Sequence, residues 1–172
     1  MESVPVPDII INTVCPHPFV AVGEQEPLLL PQRGLAEIVV PTMQDILRAY
    51  PHSPLRIVRG PGSFTGIRIG LAVGLALRLS GYSVQGVNAF DALRACWLRL
   101  HGAPMPDDQT MVLPFYKDHV FLTRGGDHAD ALTITDTPPP ACFQGPALPM
   151  DYHHAPEAPL TPLYGRASYV GV

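Results

Sequence analysis

The chain has 172 residues, enough for one ordinary domain or two small lobes around a sizeable core. Its 47% hydrophobic and 15% charged composition excludes a disordered chain, and a net charge of −4 excludes a global field drawing it to nucleic acid. The three cysteines form no CxxC pair, which excludes a zinc knuckle and a disulfide framework, and the 21 prolines imply many extended and turn segments.

The N-terminus lacks the basic stretch and long apolar run of a signal peptide, so the cytoplasm is the expected compartment, with reduced thiols. "DIIINTV" (8–14) and "PFVAVGE" (18–24) are β-branched and apolar and predict two strands joined by the proline-stiffened "CPHP"; "PLLL" adds a third. Leu35, Ile38, Val39, Met43, Ile46 and Leu47 then fall at helical spacing, with Pro41 predicting a kink or a helix starting near Val40. "LRIV" (55–58) is a brief strand that runs into "RGPGSFTG". Residues 65–80 predict a helix closed by Gly81, and "YSVQGV" (82–87) the next strand. Asn88 can cap a following helix, with Asp91 in capping-box position, Phe90, Leu93, Trp97 and Leu98 as its apolar face and Gly102 as its stop. This order predicts an α/β lobe with a mixed sheet over 1–103. Beyond Pro104, short strand candidates ("TMVLPFY", "HVFLTRG", "ALTITD") and a proline-rich run predict a smaller strand-and-loop lobe over 104–172.

The stretch "GPGSFTGIRIGLAVGLALRLSG" (60–81) has three readings. As a P-loop it fails, because Ile67 and Arg68 stand where lysine and a magnesium-binding hydroxyl are needed; as GxGxxG it fails at Thr65. Gly60, Pro61, Gly62, Ser63, Phe64 and Thr65 read better as a tight strand-to-helix turn, with Ser63 or Thr65 as N-cap. A membrane anchor fails on length, since only nine uncharged residues separate Arg68 from Arg78. The stripe Gly66, Gly70, Gly74 remains. Glycine inside a helix costs about 1 kcal/mol relative to alanine, so close backbone packing by another element is expected. That element is either this chain's own sheet or a second protein, and the pattern alone leaves both open. Catalytic constellations are missing: the sequence holds neither an HxxxH pair nor a GxSxG elbow.

"GPGSFTG" with Arg68 and Gly70 closely resembles the signature of the bacterial TsaB (YeaZ) family, GPGSFTGLRIG before a small-residue-rich helix. "RGLAEIVVPTMQDIL" (33–47), "GVNAFDALRA" (86–95) and "PLYGRAS" (162–168) resemble further family segments in the same order. The resemblance implies an actin-like/Hsp70-like (ASKHA, ribonuclease H-like) mixed sheet with helices and a reduced second lobe. It also implies a non-catalytic subunit that binds a catalytic paralogue, TsaD, in threonylcarbamoyl transfer to the tRNA adenosine beside the anticodon. An ATPase, TsaE, joins that complex; tRNA is met only through it, and the chain pairs with itself when alone. No cofactor of its own is implied, although nucleotide can sit at a shared interface. The family's interface helices correspond here to positions including Ile38, Met43, Ile46, Gly66 and Ile67. Gly70, Leu71, Val73, Gly74 and Leu77 continue them, and leucine at Gly70 or Gly74 is expected to block docking in a folded monomer. The chain departs from the family pattern at Asn12 (usually Asp), Leu35 (usually His) and Pro114 (usually an acid). Two other readings are a stand-alone nucleotide-binding enzyme of this fold and a self-associating paralogue with no part in tRNA modification.

Overall fold

The computed structural model describes residues 6–116, 119–126, 133–135, 141–143 and 152–164. The chain opens with β1 (Ile9–Asn12), whose four residues are all buried, then β2 (Phe19–Val22) and the short, exposed β3 (Leu28–Leu29). An almost unbroken apolar strand such as β1 belongs in the middle of a sheet covered on both faces, and β1 sits there. It pairs antiparallel with β2 and parallel with β4 (Leu55–Val58). With β5 (Val84–Val87) parallel to β4, and β10 (Glu157–Ala158) antiparallel to β5, the first sheet runs β10-β5-β4-β1-β2-β3.

Three helices connect these strands. α1 spans Leu35–Ala49 and starts at Leu35, after Gly34 in left-handed conformation, rather than near Val40. Pro41 is accommodated inside it because the proline faces solvent while Leu35, Val39, Met43 and Leu47 are buried on the other side of the helix. α2 spans Phe64–Leu79 and α3 spans Ala89–His101. Asn88 caps α3 as expected, its Oδ1 accepting from the Phe90 N–H at 2.7 Å. Asp91 instead pairs with Arg94 at 2.8 Å.

A second sheet, β8-β7-β6-β9, is built from β6 (Thr110–Tyr116), β7 (His119–Arg124), β8 (Thr133–Thr135) and β9 (Cys142–Phe143). The division at residue 103 separates these four strands from the first sheet, but β10 crosses back to pair with β5. The closing segment therefore belongs physically to the first sheet.

The two faces of that sheet are covered differently. Side chains alternate across a strand, so Ile57 faces one way and its neighbours Arg56 and Val58 the other. The glycines of α2 lie on Ile57, whereas Arg56 and Asn12 reach Tyr152 and Ala155 on the opposite face.

Candidate functional site

The turn between β4 and α2 is shaped by close backbone approaches. Gly60 has φ 127°, a conformation rarely open to other residues, and a Cβ there would fall on the Leu163 carbonyl. Cβ atoms at Gly62 and Gly66 would fall on the carbonyls of Val14 and Thr13. The turn thus lies flat on the end of β1. Ser63 is the N-cap, accepting from the Gly66 N–H at 3.2 Å, while its own N–H donates to Val14 at 2.9 Å.

The stripe continues the same contact. A Cβ at Gly70 would lie 2.5 Å from Thr13 Oγ1, and one at Gly74 would lie 2.8 Å from Ile57 Cγ1 and 3.2 Å from Leu160. Of the two readings of the glycines, the structure selects the chain's own sheet. Among the expected interface residues, Met43, Gly66, Ile67, Gly70, Leu71 and Gly74 are buried inside this chain. Ile38 and Ile46 are half-buried against the core, and Val73 and Leu77 are half-buried along the groove between α1 and α2. Leucine at Gly70 or Gly74 would strike the sheet and destabilise the chain itself, which corrects the expectation of a variant that loses docking alone.

The free side of α2 carries Phe64, Arg68, Ala72, Leu75, Ala76 and Leu79. Leu79 is 90% exposed and Leu75 47%, matched by Val40 of α1 at 47%. A groove of about 470 Å³ runs between the helices, lined by Val40, Met43, Leu47, Val73, Leu77 and Tyr82. The Arg68 guanidinium stacks over the Phe64 ring at 5.5 Å, and Phe64 meets Tyr164 at 5.3 Å. Val40, Leu75 and Leu79 were not among the expected interface residues. α2 is apolar all round, and a pattern without a polar side cannot say which apolar side faces out.

The carboxyl end of β1 is filled by its own side chains. Here Asn12 is fully buried and uncharged. Its Oδ1 accepts from the N–H groups of Val14 (3.1 Å) and Cys15 (3.3 Å), and its Nδ2 donates to the Tyr152 hydroxyl at 2.9 Å. The neighbouring cleft of about 640 Å³ between β1, α1 and α2 is lined by one charged side chain, Glu37, which repels phosphate. The residues lining the cleft include no basic side chain. Thr13 is also spent, its hydroxyl donating to the Gly66 carbonyl at 2.7 Å. Burial raises the Cys15 thiol to about 11, so it stays protonated, and its Sγ donates to the His17 carbonyl at 2.9 Å. Among the described residues, no group of three His, Cys, Asp or Glu is placed to hold a metal ion, and no helix is long and apolar enough to cross a membrane.

An antiparallel β1-β2-β3 meander followed by parallel β4 and β5 in the order β3-β2-β1-β4-β5 defines a ribonuclease H-like lobe of the ASKHA kind, here with the strand-end site closed by its own side chains. No family model and no curated protein matches the chain. Among solved structures it is similar to YeaZ from Pseudomonas aeruginosa, with a TM-score of 0.48 and 21% identity over 67% of this chain and 58% of that one. It is also similar to an uncharacterized protein with similarity to peptidase YeaZ from Pseudomonas aeruginosa, with a TM-score of 0.46 and 25% identity over 69% of this chain and 58% of that one. The chain thus spans under two thirds of the length of either.

Proposed function

We propose that this chain is a non-catalytic scaffold subunit that docks and stabilises a TsaD-like catalytic paralogue in threonylcarbamoyl transfer to tRNA. The observation that carries this reading is the outer face of α2, where Leu75 and Leu79 stand in solvent, together with the exposed Val40 of α1 on the groove between the two helices. Such a face is costly to leave in water and is the usual core of a protein interface. The "GPGSFTG" signature supports the identity of the partner, and the closed end of β1 supports a subunit with no nucleotide chemistry of its own. In this reading a TsaE-like ATPase joins the complex, tRNA is met through it in the cytoplasm, and two copies pair through the same face when the catalytic subunit is absent.

Replacing Leu75 and Leu79 together by Asp tests the reading, because neither side chain supports the core. The variant should remain folded and fail to co-purify with the TsaD-like subunit of the same organism; unchanged co-purification would remove α2 from the interface. Reconstitution with TsaD-like, TsaE-like and threonylcarbamoyl-adenylate synthase components should modify tRNA only when the chain is present. Modification without it would overturn the scaffold role.

A further inference from the structure

We infer that residues 152–164 act as a strap that sets the position of α2, with Tyr152 and Leu160 as its positioning residues. The consequence for docking rests on the role proposed above for the outer face of α2.

A helix normally locks onto a sheet through side-chain ridges seated in grooves. α2 lacks those ridges where it meets β1 and β4, since Gly66, Gly70 and Gly74 face them. Ile67, Leu71 and the Thr13 hydroxyl on the Gly66 carbonyl fix its first half, and Arg78 on the Val84 carbonyl its end, so it is the glycine-faced middle around Gly74 that needs a further lock. The strap supplies it. Tyr152, 1% exposed, is anchored by Asn12 against β1. Arg56, itself paired with Asp8 at 2.9 Å, donates to the Ala155 carbonyl at 2.9 Å. The strap then adds β10 to the edge of β5 and turns onto the other face of the sheet. There Leu160 is wedged beside Gly74, Arg59 donates to Thr161 Oγ1 at 3.0 Å, and the Leu163 N–H donates to the Arg59 carbonyl at 3.0 Å. Tyr164 ends the path against Phe64, at the first turn of α2.

Three separate elements each present a glycine to this one segment: Gly60 in the turn, Gly74 in α2 and Gly86 in β5. A Cβ at Gly86 would lie 2.6 Å from the Pro159 carbonyl. Arg56 of β4 and Arg59 just beyond it donate to the segment as well. This is a seat built for a specific segment, and it touches α2 at its start and its middle.

Hydrogen exchange on the full chain tests the inference without any partner. Leu160→Ala should raise the exchange of the α2 amides 70–79 about tenfold while the β1 and β4 amides keep their rates. Tyr152→Phe, which keeps the packing and removes the hydroxyl, should loosen residues 12–15 first. Val112→Ala in β6, a core truncation outside the strap, should leave α2 unchanged. Unaltered α2 exchange in Leu160→Ala, or equal loosening of α2 in Val112→Ala, would overturn the strap. Affinity for the catalytic subunit, measured well below the melting temperature, gives the second reading. Leu160→Ala should weaken it about fivefold or more, and Leu160→Met should restore it. Loosened exchange with unchanged affinity would overturn the positioning role. If the native chain itself shows no affinity, the docking reading fails, and the exchange rates still decide the strap.

Discussion

Gly66 places its Cα where the Thr13 carbonyl leaves no room for even a methyl group, and the obstacle is backbone, which cannot swing aside. Gly66→Ala is therefore expected to destabilise the chain by about 1–3 kcal/mol in urea unfolding through overpacking alone. Ala72→Ser, on the exposed side of the same helix, should stay within about 0.5 kcal/mol. Cys15 yields a prediction in pH. Its folded-state pKa, about 11, lies above the ordinary 9.0, so the folded state holds the proton more tightly than the unfolded chain. The stability this contributes is fully present below pH 9.0 and is lost as pH rises through about 11. Burial raises the Tyr152 hydroxyl in the same direction, above its ordinary 10.0, extending the loss to higher pH. Cys15→Ser should flatten the first part of that decline, measured as midpoint denaturant concentration against pH. At neutral pH the Cys15 thiol should react slowly with iodoacetamide.

At the scale of elements, the helices differ in what holds them. α2 begins on Ser63, and Ser63→Ala should cost about 1 kcal/mol by orphaning the Gly66 N–H. α1 carries Pro41 in its interior at an exposed position, where the lost hydrogen bond brings no packing in return. Pro41→Ala should therefore raise stability by about 1–3 kcal/mol, seen as a higher melting temperature. The strand alternation and helix spacing that predict β1, β2, β4, β5 and the three helices were legible because each is a local pattern of apolar residues. The start of α1 was not, because proline only disfavours a helix interior and a buried face around Leu35, Val39, Met43 and Leu47 outweighs it. The exposed side of α2 was illegible for a different reason: with leucines on both sides, burial is decided by what packs where.

For the whole molecule, the first sheet and the closing segment form one unit although about fifty residues separate α3 from Tyr152. Arg56 is the link between them, and Arg56→Met should destabilise the chain by about 2 kcal/mol, because it strands both Asp8 and the Ala155 carbonyl in a partly buried site. The loss should persist in high salt, unlike that of an exposed pair such as Asp45–Arg48. The sequence by itself determined the order of elements, the presence of a turn and a glycine-striped helix at 60–79, and the missing P-loop lysine, since each depends on neighbours along the chain. Only the tertiary structure decided that the glycines face the chain's own sheet, that Leu75 and Leu79 face out, and that Tyr152 closes the end of β1. Those outcomes depend on which surfaces meet in space, and a partner 140 residues away along the chain leaves no mark in any local window.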